Sequence, residues 1–220
     1  MAKYISRPTR LSPMARICYT KNLYEAQAVS GGAPKFGVRV LFDKKNPEHM
    51  KYLKTLAADA ASAIAEHWPD ESKRPVLALV GNNYDSPIKD GDKAVNKNGR
   101  PYYEKEPEVK GHYFIGPRSK NKPAVVDAGN LPIGDQSLVY PGCWAEVAMN
   151  VYTYDTPSNG VTIGLNGVRK RKDDERIGGG PPAIDEMFGD PVAGGAEDPF
   201  AAGGVTEEKA ATGEDPFGSM

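Results

Sequence analysis

The sequence predicts a mainly β protein: a small Greek-key barrel with one substantial α-helix, followed by a disordered acidic tail. Three observations carry that expectation. Apolar residues alternate with period two over short runs, and Gly, Pro, Asn and Asp turns separate the runs. Helical periodicity occurs in one stretch only, so helices do not alternate with strands as a βαβ fold requires. The charge is also split. The 220 residues sum to −1, yet residues 173–220 hold twelve acids against two bases, a net −10, which leaves +9 on residues 1–172. The expected division is therefore a barrel domain over 1–172 and a flexible Gly/Pro/Ala-rich tail over 173–220.

The elements follow in order. Residues 15–29 read as extended, with Ile17, Tyr19 and Leu23 alternating with polar neighbours, and Ser30-Gly31-Gly32-Ala33-Pro34 is a turn signal. Residues 35–42 alternate cleanly: Phe36, Val38, Val40 and Phe42 share one face, and Gly37, Arg39 and Leu41 share the other. Asn46-Pro47-Glu48 then supplies a helix cap, a first-turn proline and an acid at the positive end of the helix dipole. The helix runs to about Trp68, with Met50, Leu53, Leu56, Ala57, Ala60 and Ile64 on its apolar face. Residues 69–110 are polar and turn-rich, with a short strand over 76–80 and turns at Asp90-Gly91-Asp92 and Lys97-Asn98-Gly99-Arg100-Pro101. Further strands are expected over 112–116, 124–127 and 143–155. In the last of these Val147, Met149 and Val151 face inward, opposite Trp144, Glu146, Asn150, Tyr152 and Tyr154. A final strand covers 161–168, broken by Gly164 and Gly167.

Several chemistries find no support in the residues. Cys18 and Cys143 stand in apolar, strand-like surroundings and read as buried thiols in a reducing compartment. With His49, His67 and His112 scattered, no metal-ligand spacing exists, and no cofactor is implied. Asp90-Gly91-Asp92 reads as an acidic turn. Gly178-Gly179-Gly180 lacks the preceding strand and following Lys-Ser/Thr of a phosphate loop, so it reads as a linker. No apolar run approaches the roughly 20 residues that cross a bilayer, and the basic N-terminus lacks the apolar stretch of a secretory signal. A cytoplasmic location and no enzymatic activity are expected.

Nucleic-acid binding is better supported. Basic residues gather where strands end: Lys21 near Tyr24; Lys35 and Arg39; Arg118, Lys120 and Lys122 after Tyr113 and Phe114; and Arg169-Lys170-Arg171-Lys172 after the last strand. Tyr102 and Tyr103 in a loop, and Tyr152 and Tyr154 on a strand, interleave aromatic rings. Binders of single strands combine cations that neutralise phosphates with rings that stack on bases. The candidate DNA contacts are Lys35, Arg39, Tyr113, Arg118, Lys120, Lys122, Tyr152, Tyr154, Arg169 and Arg171, and alternation of faces means that only a subset shares one surface. In the tail, Glu197-Asp198-Pro199-Phe200 returns as Glu214-Asp215-Pro216-Phe217. Asp198, Phe200, Asp215 and Phe217 are the candidate protein-partner contacts: each ring fills a pocket while the acids meet a basic rim. The plain alternative is a solubilising segment. A −10 tail tethered to a +9 body is also expected to compete with DNA for its groove.

Four stretches carry a resemblance. They are Gly111-His112-Tyr113-Phe114-Ile115 continuing to Lys122-Pro123-Ala124-Val125-Val126-Asp127; Tyr140-Pro141-Gly142-Cys143-Trp144-Ala145; Val151-Tyr152-Thr153-Tyr154-Asp155; and Gly160-Val161-Thr162-Ile163-Gly164-Leu165-Asn166-Gly167-Val168-Arg169-Lys170. With Asp90-Gly91-Asp92 and Leu23-Tyr24-Glu25-Ala26, they resemble a phage-encoded single-stranded DNA-binding protein family over most of residues 12–180. The resemblance implies an OB-fold that coats single-stranded DNA with little sequence preference in phage replication, recombination or repair. It implies the host cytoplasm as location, no catalysis, and an acidic tail that recruits replication proteins. Homo-oligomerisation is compatible with it. In this chain Gly218-Ser219-Met220 follow the second phenylalanine, which favours an internal linear motif, and residues 96–108 are longer than the family pattern. The alternatives are a strand-annealing or recombination mediator, which shares these features, and a virion or scaffold protein with an acidic assembly tail.

Overall fold

The computed structural model describes residues 4–28, 32–75, 79–155 and 158–178. The tail motifs with Asp198, Phe200, Asp215 and Phe217, and the expected strand positions 76–78, lie outside the described residues. The strands are β1 (Arg10–Leu11), β2 (Ala15–Cys18), β3 (Phe36–Gly37), β4 (Arg39–Asp43), β5 (Val80–Gly81), β6 (Ile88–Asp90), β7 (His112–Ile115), β8 (Arg118–Ser119), β9 (Ala124–Val126), β10 (Trp144–Tyr154) and β11 (Gly160–Lys172). The helix α1 spans Pro47–His67.

The alternating run over 36–43 organises the sheet. Only Val38 separates β3 from β4, and only Gly116-Pro117 separates β7 from β8. The two long runs pair antiparallel in one register across both breaks: Phe36↔Ser119 and Gly37↔Arg118, then Val40↔Ile115 to Asp43↔His112. On its other side β4 pairs with β2, β2 with β10, and β10 with β11. β11 then meets β8 in parallel at Gly164↔Arg118. The ladder of neighbours therefore returns to β3 and closes a five-run barrel. Two of its contacts, β2 with β10 and β8 with β11, join runs that are not sequential in the chain, which is Greek-key topology. β9 lies parallel to β11, and β6 with β5 extends β7 outside the ring.

Ile17, Val40, Phe42, Ile115, Val147, Met149 and Val151 fill the barrel at 1% exposure or less. The helix covers one opening, burying Tyr52, Leu53, Leu56, Ala60 and Ala63. Its start matches the sequence signal: the Asn46 side chain accepts from the backbone N–H of Glu48 at 2.9 Å and of His49 at 3.4 Å, with Pro47 in the first turn. Trp68 caps the other end. His49 is structural: buried, it accepts the Asp43 N–H at Nδ1 (2.9 Å), and Nε2 lies 3.1 Å from the Met14 carbonyl oxygen. The nitrogen that accepts fixes the other as the donor.

Two elements differ from the sequence expectation. Extended structure after residue 15 stops at Cys18. Tyr19 adopts a left-handed backbone (φ 58) and opens a 3-10 turn, Thr20–Leu23, which delivers Thr20 and Leu23 to buried positions. Burial of Leu23 outweighs the local alternation. The last strand is not broken at its glycines and runs on to Lys172, so Arg169, Lys170, Arg171 and Lys172 lie within it, not after it. Gly164 serves close approach: a Cβ there falls 2.7 Å from Asn150 Oδ1.

A second apolar cluster, Cys18, Leu41, Ala94, Val109 and Phe114, sits on the outer face of β2, β4 and β7. Tyr102, Tyr103 and Ile177 pack against it, so residues 94–109 fold over the barrel wall. Gly91 admits this fold, because a Cβ on it falls 1.9 Å from the Val109 carbonyl oxygen. The Asp90-Gly91-Asp92 turn grips an ammonium from the chain itself: Lys44 pairs with Asp90 and, at 2.6 Å, with Asp92. Cys18 and Cys143 are free and buried, and burial pushes their thiols up to about 12 and about 11.

Candidate nucleic-acid interface

Alternation sends Arg39 outward from β4 while its neighbours Val38 and Val40 face the core. Its guanidinium carbon lies 4.7 Å from the Tyr19 ring centre, 4.7 Å from that of Phe114 and 5.5 Å from that of Tyr102. Cation–π attraction of this kind strengthens as water is excluded. Glu106 pairs with Arg39 and accepts the Tyr19 hydroxyl at 2.6 Å. The loop over 94–109 thus fixes both a cation and a ring. Tyr19 holds its place with a positive φ, a conformation that costs a non-glycine residue about 1–2 kcal/mol.

Around this cluster runs an open groove of about 290 Å³. Tyr19, Arg39, Tyr84 and Tyr102 line it with Lys35 and Arg118, and Gly37, Val38, Gly116 and Pro117 complete its walls. At Gly116 a Cβ meets open space, so bare backbone faces the groove there. Beside it, Lys89 donates to the Ser86 carbonyl oxygen at 2.6 Å and sits 6.0 Å from the ring centres of Tyr84 and Phe114. Burial, then the positive charges of Arg39 and Arg118, lower its pKa to about 8, with Asp85 opposing. An anion entering the groove offsets that crowding of cations.

The structure gathers three of the sequence-derived candidates, Lys35, Arg39 and Arg118, in this groove. The others lie elsewhere. Tyr113 points to the opposite side of β7, against the main core and under Lys44 at 4.9 Å. Lys120 is exposed after β8, and Lys122, also exposed, reaches the Tyr24 ring at 5.8 Å. Tyr152 and Tyr154 stand on the non-core face of β10; Tyr152 bridges to Ser6, and the Tyr154 ring covers Gly160. Arg169 and Arg171 share Glu146, at 2.7 and 3.4 Å.

Sequence reasoning did not select Tyr19, Tyr84, Lys89 and Phe114. For Phe114 a signal existed: Tyr113 shares its face with Ile115, and the aliphatic side chain claims the core. For the other three the sequence offers none, because each reaches the groove through a turn or an edge pairing. Among the described residues no three His, Cys, Asp or Glu side chains gather as a metal site, and no helix is long and apolar enough to cross a membrane.

A five-run Greek-key barrel with an outer groove of interleaved rings and cations defines an OB-fold-like nucleic-acid-binding class. The sequence profile of the Enterobacter phage Enc34 single-stranded DNA-binding protein family matches residues 11–199, and the chain belongs to that family. Protein p50 of Acyrthosiphon pisum secondary endosymbiont phage 1 is 28% identical over 171 residues, which cover 76% of this chain and 86% of p50. The Enc34 protein solved in complex with single-stranded DNA shares the fold at a TM-score of 0.55 and 20% identity, covering 80% of this chain and 89% of that one. A further structure of the Enc34 protein gives 0.54 at 19% identity, covering 84% and 89%.

Proposed function

We propose that this chain binds single-stranded DNA with little sequence preference, using the groove between Tyr19, Tyr84, Tyr102, Lys35, Arg39 and Arg118. The observation that carries this reading is the meeting of three rings with three cations in one groove on the barrel wall. Family membership supports it, and so does the single-stranded DNA complex of the Enc34 protein. Lys35 and Arg118 neutralise phosphates. Tyr19, Tyr84 and Tyr102 offer faces for bases, a contact worth about 1–3 kcal/mol per base. Stacking reads no hydrogen-bond pattern, so the binding is tolerant of sequence. The protein coats single strands exposed during phage replication, recombination or repair. Its repeated Glu-Asp-Pro-Phe motifs recruit replication proteins through Asp198, Phe200, Asp215 and Phe217.

The test is a titration of labelled single- and double-stranded oligonucleotides across a salt series. Tighter binding of the single strand is expected, with log K falling by about 0.7 per neutralised phosphate per unit of log salt, or roughly −1.4 for Lys35 and Arg118. Affinity that ignores salt contradicts the phosphate contacts, and absence of binding contradicts the function.

A further inference from the structure

Register on the outer barrel wall sets out a second row of rings and cations. Lys172 pairs with Trp144, Trp144 with Arg16, Arg16 with Leu41, Leu41 with Phe114, and Phe114 with Lys89. Ala145, Ile17, Val40 and Ile115, the next residues on four of these strands, face the core, so the row faces away from it. Its Phe114 end belongs to the groove already described. Its other end is a separate patch. Lys172 stands 5.0 Å from the Trp144 ring centre, and Tyr140 beside it carries Arg176 at 4.2 Å and Lys170 at 5.5 Å.

The chain covers this patch with acids. Asp174 accepts the Trp144 indole N–H at 2.5 Å and lies 3.9 Å from Arg16. Asp173 pairs with Lys170 at 2.6 Å, and the Glu175 carbonyl oxygen accepts from Arg16. The Tyr140 hydroxyl donates to the Asp174 carbonyl oxygen at 3.0 Å. Residues 173–177 follow directly on β11 and lie over Gly142, where a Cβ falls 2.3 Å from the Glu175 carbonyl oxygen. Two carboxylates, Asp173 with Lys170 and Arg176 and Asp174 with Arg16 and Lys172, thus face four cations. An acidic strap laid over rings and cations presents them with the charge of a phosphate chain. Two strand spacings and one two-residue repeat separate Trp144 from Arg39, about 12 Å along the sheet; Tyr102, Tyr103 and Ile177 cover the wall at Cys18, Leu41 and Phe114, so a strand held in the groove reaches Trp144 by passing over them.

We propose that Trp144, Tyr140, Arg16 and Lys172 form a second contact surface for single-stranded DNA, which the strand occupies by displacing the Asp173–Asp174–Glu175 strap. This inference rests on the reading of the groove as a single-strand site. A strand long enough to fill the groove continues onto Trp144, stacks a base there, and exchanges strap carboxylates for its own phosphates on Lys172 and Arg16. The protein holds the patch partly neutralised until a long strand arrives.

The experiment uses the full chain and an oligothymidylate of about 15 nucleotides, near the upper site size of one such barrel. Asp174→Asn loosens the strap without removing a DNA contact and is expected to tighten binding several-fold. Trp144→Leu with Lys172→Ala is expected to weaken it about tenfold. A Trp68→Phe protein leaves Trp144 as the lone tryptophan, and its emission is expected to be quenched as the oligonucleotide saturates the protein. Arg39→Ala serves as the groove control. If Asp174→Asn binds no more tightly and Trp144 emission is unchanged at saturation, while Arg39→Ala still loses affinity, the second surface is overturned and the groove stands. If the unaltered chain fails to bind, the groove reading falls, and this inference falls with it.

Discussion

The helix side and the groove side of the barrel carry similar cations and treat them differently. On the helix side, Arg10 forks onto Asp59 with contacts of 2.5 and 2.8 Å, and Arg7 reaches Glu66 and Ser62, both at 2.9 Å. These pairs clamp the N-terminal segment to α1. On the groove side, among the described residues, Lys35 and Arg118 have no ion-pair partner, and Lys89 is held by a carbonyl oxygen and two rings. Arg39 joins the two patterns, with a carboxylate below it and three rings around it. Cation content alone does not separate a structural surface from a binding one. Between these two sides the partner does: carboxylates tie Arg7 and Arg10 to the helix, while Lys35, Arg118 and Lys89 keep their charge for a ligand.

That contrast is open to direct attack. Lys35→Ala with Arg118→Ala is expected to cost the largest share of single-strand affinity, about tenfold or more. The salt slope should become shallower by about 1.4 while the melting temperature stays unchanged; titrations at several salt concentrations beside a thermal melt measure both. Tyr19→Gly is next. Removing the ring should lower affinity several-fold, and relieving the positive φ should leave stability level or raised. Loss of both together shows that the strain serves only the fold. A smaller effect follows from pH. Lys89 is depressed to about 8 by burial and by Arg39 and Arg118. Its charge is therefore present at pH 7 and lost as pH rises through 8, and DNA affinity falls with it. Folding stability moves the other way between pH 8 and the ordinary lysine range, because the unfolded chain binds the extra proton there. Lys89→Met should flatten both profiles. Arg10→Ala should have the smallest effect on DNA, essentially none, while costing about 1 kcal/mol in chemical denaturation.

How much of this was legible in the sequence depends on the range of the interaction. The helix was readable because Asn46, Pro47 and the spacing of Leu53, Leu56 and Ala60 act within a few residues. Runs 36–43 and 144–154 were readable because alternation is local. The register that brings Arg118 beside Gly37 was not, since it depends on pairing across some eighty positions. The turn at Tyr19 escaped because burial of Leu23 overrides the alternation before it. In the site, Lys35, Arg39 and Arg118 were found as cations near strand ends. Tyr84 and Lys89 were missed because they arrive from a turn-rich segment whose path only the folded chain defines. Asp174 against Trp144 is the extreme case: composition put that residue in the acidic tail, and the fold lays it on the barrel.

The central claim concerns where a single strand lies, so the most direct measurement is photocrosslinking of an oligothymidylate to the full chain, with crosslinked residues mapped by mass spectrometry. Crosslinks at Tyr19, Tyr84 and Tyr102 are expected, reduced by Lys35→Ala with Arg118→Ala. Crosslinks confined to Tyr152 and Tyr154, with the groove tyrosines unmodified, contradict the account.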